Sequence, residues 1–136
     1  MIIADTSGLL AYFNASEPHH HAVREVLEAP HDGIVVSPYV LAELDYLVAT
    51  RVGTDAEMAV LAELSSGAYE LAALDAEDVR EATDVIRRYR DQAVGIADAS
   101  LVVLAKRHAT RTIVTLDHRH FDVLRPLDGG RFRVLP

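Results

Sequence analysis

The sequence predicts an α/β chain, with a mostly parallel sheet of about five strands covered by helices on both faces. Three observations predict it. Short apolar runs that do not alternate with polar residues, such as IIA at 2–4, recur along the chain, as strands buried on both faces do. Longer stretches with apolar residues at helical spacing lie between them. Acidic residues stand where these runs end, and open parallel sheets bind ligands at the carboxyl ends of their strands.

The elements follow in order. Residues 2–4 read as a buried strand and Ser7 to Phe13 as a helical turn or short helix. Glu17 and Pro18 open a second helix, because proline suits the first helical position, and Val23, Val26 and Leu27 form its apolar side. Gly33 breaks the chain before a second strand, Ile34–Val36. Ser37 as N-cap and Pro38 behind it start a helix with Leu41, Leu44 and Val48 at helical spacing. Thr54 and Glu57 fit a capping box for the next helix. Residues 69–74 are expected to form a third strand, and Asp75 to cap an amphipathic helix with Val79, Ala82, Ile86 and Tyr89 on one side. Gly95 precedes ADASLVVLAKRH, a helix whose centre is too apolar to be exposed. TIVTL at 112–116 is a fourth strand and FRVL near the C-terminus a fifth.

With 136 residues and no repeat, low-complexity tract or linker, one domain over 1–136 is expected. No apolar run reaches the ~18 residues of a membrane span, and residues 1–4 are too short and lack the basic flank of a secretory signal. The absence of cysteine excludes disulfides and thiolate metal sites and fits a reducing cytoplasm, the expected compartment. A net charge of -8 argues against a broadly basic nucleic-acid face, but it does not say where the charges sit. The basic set is twelve arginines and the single Lys106, and guanidinium pairs bidentately with phosphate or carboxylate.

Four acids carry the functional reading. Asp5 ends the first strand, and an N-cap or Asx-turn is its ordinary role. Glu43 lies in an apolar stretch of its helix, either inward and in need of a partner or on a solvated face beside Asp45. Asp98 falls in the first turn of the buried helix, where it also complements the helix dipole. Asp117 follows TIVTL and otherwise reads as a turn residue. In a parallel sheet these four places converge on one edge. Packed carboxylates repel and raise one another's pKa, so the cluster calls for a cation. All-oxygen donors suit Mg²⁺ or Mn²⁺, and such a pocket is built for phosphoryl chemistry. Thr6, Ser7 and Thr115 are candidates to orient ligands or waters.

Other motifs are weaker. The run His19, His20, His21 sits at the start of a surface helix, where adjacent side chains do not face one point. His118 and His120 flank Arg119; contact with a substrate phosphate is one reading and solvated surface the plainer one. No nucleophile elbow, P-loop or GxGxxG is present.

The segments IIADTSGLLAYF, VVSPYVLAELDYLV, GIADASLVVLA and TIVTLDHRHF, in this order, resemble the PIN-domain family, and more narrowly the VapC toxins of bacterial toxin–antitoxin pairs, over essentially the whole chain. The resemblance implies a three-layer α/β/α sandwich and a Mg²⁺- or Mn²⁺-dependent endoribonuclease. Asp5, Glu43, Asp98 and Asp117 are then its acidic site, with Thr6, Ser7 and Thr115 at the family's small hydroxyl positions. It implies a VapB-like antitoxin that places an arginine in the acidic pocket, and a homodimer. It implies RNA held by a local arginine rim, for which Arg87, Arg88, Arg90, Arg111, Arg119, Arg125, Arg131 and Arg133 are candidates. The expected target is a structured loop of tRNA or rRNA, the 23S sarcin–ricin loop among them. Two other readings compete: a catalytically silent PIN-like module that binds a partner protein, and a phospho-acceptor domain that would need Lys106 beside the acids.

Overall fold

The computed structural model describes residues 1–136. Five parallel strands, β1 (Ile2–Ala4), β2 (Ile34–Val36), β3 (Glu70–Leu71), β4 (Thr112–Val114) and β5 (Arg133–Leu135), form one sheet in the order β3-β2-β1-β4-β5. β1 and β2 are buried along their whole length, as their unbroken apolar sequences require. β3 is a two-residue exposed edge, shorter than the expected 69–74; a short edge strand leaves few unpaired backbone groups for another chain to pair with.

From β1 the chain steps one way, to β2 and β3, and then crosses back to β4 on the other side of β1. Right-handed crossovers therefore put α1 (Thr6–Phe13), α2 (His20–Glu28), α3 (Pro38–Arg51) and α4 (Thr54–Leu64) on one face. They put α5 (Ala76–Arg88) and α6 (Ile96–Arg107) on the other. This is the expected three-layer sandwich. The strand order reverses between β1 and β4, and beyond their carboxyl ends such sheets open a crevice. A short helix α7 (His118–Phe121) follows β4 at that place.

α6 is buried without interruption from Ala99 to Ala105, which explains its apolar centre. Gly8 lets α1 approach β4: a Cβ there would lie 2.6 Å from the Val114 carbonyl oxygen. Ser37 caps α3 through its hydroxyl, which accepts the Tyr39 N–H, and Asp75 and Asp78 form a reciprocal capping box on α5.

Three local expectations are corrected. α2 begins at His20 rather than behind Pro18, because the Glu17 carboxylate accepts the His19 N–H at 2.7 Å and holds a turn there. The N-cap of α4 is Gly53, not Thr54; its φ of 135° makes the tight reversal out of α3 and pushes Thr54 into the helix without a cap bond. On α5 the buried positions are Ala82 and Val85, while Val79 is exposed.

Candidate metal centre

The crevice beyond β1 and β4 is an open cavity of about 530 Å³ whose walls include Asp5, Glu43, Asp98 and Asp117. Each acid arrives on a different element. Asp5 ends β1 and sits at the N-cap position of α1, yet its side chain makes no cap hydrogen bond. Glu43 projects from the second turn of α3 and is exposed. Asp98 lies in the first turn of α6. Asp117 caps α7, its Oδ1 accepting the His120 N–H at 3.2 Å, so the turn role and the pocket role belong to the same side chain.

Asp5 is only 6% exposed, and its Oδ2 accepts from Thr115 at 2.6 Å and from Ser7 at 3.1 Å. Each hydroxyl has one hydrogen and gives it to Asp5, so the 3.0 Å approach of the Ser7 and Thr115 oxygens is a contact between two donors to the same carboxylate. Both hydroxyls also accept, Ser7 from the Leu116 N–H and Thr115 from the Asp117 N–H, which fixes the strand end that leads to Asp117. Thr6 is buried at the cavity wall, and its hydroxyl has no protein partner.

Burial drives the Asp5 pKa up; its hydroxyl donors counter that only in part, and the Glu43 charge adds to the rise. Asp98 is pushed up to about 6, first by burial and then by the Asp5 charge, with Asp117 and Glu43 adding and His120 opposing. None of the four acids pairs with an arginine or lysine. The one basic side chain in reach is His120, whose Nδ1 stands 2.8 Å from Asp117 and 3.2 Å from Asp98, aligned for a hydrogen bond with neither. A set of carboxylates crowded in this way fits a hard divalent cation. No three acidic or imidazole groups yet meet at coordinating distance around one point, so taking up an ion requires side-chain rotation.

His120 is the residue that the plainer surface reading missed. Its place three positions after Asp117 in a short helix was a usable signal, since such residues share a face. Its approach to Asp98 depends on tertiary packing. Arg119 is exposed and lies outside the cavity wall. Of the other rim arginines, Arg87 pairs with Asp84, Arg111 with Asp128, and Arg125 folds onto the Asp122 carbonyl at 2.7 Å. The three neighbouring histidines diverge: His19 faces Glu17, His20 bonds the Ala11 carbonyl and His21 faces Glu25. Lys106 pairs with Glu81 at 3.2 Å and is not part of the cavity, which removes the phospho-acceptor design.

Residues 2–125 match the PIN domain family. The chain is 61% identical over 135 residues to Ribonuclease VapC26 of Mycobacterium tuberculosis, covering 99% of this chain and 100% of that protein. Among solved structures it is similar to Mycobacterium tuberculosis VapC20, described as a Sarcin-Ricin loop cleaving toxin, with a TM-score of 0.76 and 21% identity over 83% of this chain and 87% of that one. It also resembles a chain of VapBC2 from Rickettsia felis bound to a DNA fragment from their promoter, with a TM-score of 0.73 and 20% identity over 100% of both chains.

Proposed function

The chain belongs to the PIN-domain family, and from that premise we propose that it is the toxin of a type II toxin–antitoxin pair, an endoribonuclease that hydrolyses RNA phosphodiester bonds with the help of Mg²⁺ or Mn²⁺. The observation that supports this most is the meeting of four carboxylates in one crevice with no arginine or lysine to neutralise them. A divalent ion held by Asp5 and Asp98, with Glu43 and Asp117 completing the pocket, supplies positive charge for the attacking water and the leaving oxygen. Thr115 and Ser7 keep one Asp5 oxygen occupied and so leave the other for the ion. Attack in line with the 3′ oxygen leaves a 5′-phosphate and a 3′-hydroxyl.

The substrate is a structured loop of tRNA or rRNA, with the sarcin–ricin loop of 23S rRNA foremost; unstacked bases in such loops are what proteins can read. The partner is a VapB-type antitoxin, and a toxin homodimer takes part in the assembly. An apolar groove of about 470 Å³ shares Ser7, Leu10 and Leu47 with the acidic crevice and suits a peptide segment that ends in an arginine. The work is done in the cytoplasm, where these RNAs are; no helix of the chain is long and apolar enough to cross a membrane.

The end chemistry of the cut RNA tests the mechanism. Ligation-competent 5′-phosphates are expected. A 2′,3′-cyclic phosphate would overturn it, because that product means attack by the ribose hydroxyl.

A further inference from the structure

Two of the four acids follow the ends of strands and two lie on helices. β1 and β4 are neighbours in the sheet, so backbone pairing sets the distance between Asp5 and Asp117. α3 and α6 belong to different layers, and no sheet register links Glu43 to Asp98. One side-chain hydrogen bond joins these two elements: Ser37, the N-cap of α3, meets Ser100 of α6 at 2.7 Å between hydroxyl oxygens. Both residues are 0% exposed.

The direction of this bond is fixed by its neighbours. The Ser100 hydroxyl donates its one hydrogen to the Ala97 carbonyl at 2.6 Å. Toward Ser37 it can only accept. The Ser37 hydroxyl therefore donates to Ser100, and its own oxygen accepts the Tyr39 N–H at 3.2 Å. Every donor in the chain Tyr39–Ser37–Ser100–Ala97 is used once. Ala97 and Ser100 flank Asp98 in the first turn of α6, while Tyr39 lies one turn before Glu43.

We propose that Ser37 and Ser100 are positioning residues, whose buried hydroxyl bond sets the spacing between the Glu43 helix and the Asp98 helix and so the affinity of the acidic crevice for a divalent ion. This rests on the metal-dependent reading of that crevice. A buried hydroxyl pair is a costly way to join two helices unless both partners are satisfied, and here they are. It is also directional, which apolar packing at the same place is not.

The two serines predict different losses. Ser37→Ala removes the cap of α3 as well as the bond, so it lowers both thermal stability and ion affinity. Ser100→Ala leaves the cap and the α6 backbone intact, and separates the two effects.

The test is Mn²⁺ titration calorimetry on the folded wild type, Ser100→Ala, Ser100→Cys, Ser37→Ala and Ser65→Ala, with melting curves in EDTA. Ser65 ends α4 and bonds its own helix, so its variant serves as the control. Ser100→Ala is expected to bind Mn²⁺ roughly tenfold more weakly, at the low end for loss of a hydrogen bond that supports a metal site, and Ser65→Ala to bind like wild type. Ser100→Cys, with a weaker donor of similar size, falls between, and it keeps the test usable if the alanine variant does not fold. Ser100 variants that bind Mn²⁺ as wild type does would overturn the inference alone, whatever their melting temperatures. A wild type that binds no Mn²⁺ would overturn both the inference and the metal-dependent reading.

Discussion

The Thr115 hydroxyl donates to Asp5 at 2.6 Å, joining residues 110 positions apart at the ends of adjacent strands. This bond holds a buried carboxylate where no lysine or arginine helps to hold it. Thr115→Val keeps the shape but leaves Asp5 short of a donor and the Asp117 N–H short of an acceptor. A loss of about 2 kcal/mol is expected, as for other buried polar groups left unpaired, with weaker Mn²⁺ binding beside it. Denaturant unfolding measures the first; an unchanged midpoint would contradict it.

Asp98 has the opposite effect on stability. Its pKa rises from 3.8 to about 6 on folding, so the folded chain holds its proton more tightly than the unfolded one. Ionising it at neutral pH therefore destabilises the fold. Asp98→Asn is expected to stabilise the ion-free protein by about 1 kcal/mol, after allowance for solvent screening at a partly open site, while RNA cleavage is lost. A less stable Asp98→Asn in EDTA would count against the crowded-carboxylate account.

The pH dependence follows with its sign. The stability that protonated Asp98 confers is full below its ordinary pKa near 3.8 and disappears as pH rises through about 6. The melting-temperature gap between Asp98→Asn and wild type in EDTA is therefore wide at pH 7 and narrows toward pH 5. Ion binding shows the reverse, because the proton competes with the ion: Mn²⁺ affinity falls below about pH 6. A gap that does not change across this range would contradict both statements.

Gly8 is required by contact rather than by backbone angle. An added Cβ meets a strand carbonyl at 2.6 Å, and a backbone atom cannot swing aside. Gly8→Ala is expected to cost about 2 kcal/mol, the usual scale of overpacking, and to draw Ser7 away from Thr115. Melting like wild type would show that α1 sits less tightly on β4.

How much of this was legible in the sequence depends on the range of the interactions. IIA and IVV are apolar on both sides of the strand, so β1 and β2 could be read directly, and the acids at the ends of apolar runs pointed to one sheet edge. The Asp75 cap was local and was read correctly. Where two local signals competed, the reading failed. Thr54 is a good cap residue, but Gly53 alone tolerates the turn angle, so the helix begins one residue earlier in the capping scheme. The approach of His120 to Asp98 and the Ser37–Ser100 bond could not be read, because each depends on α6 lying against elements distant in sequence.

The most direct test of the central claim is 5′-end mapping of total RNA after incubation with purified, antitoxin-free protein in Mg²⁺, Mn²⁺ or EDTA, with Asp5→Ala and Asp98→Ala alongside. The account predicts one dominant cut in a structured loop that requires the ion and is absent with both folded variants. A cut that persists in EDTA or with either variant, or no cut by folded wild-type protein under any condition, would contradict it.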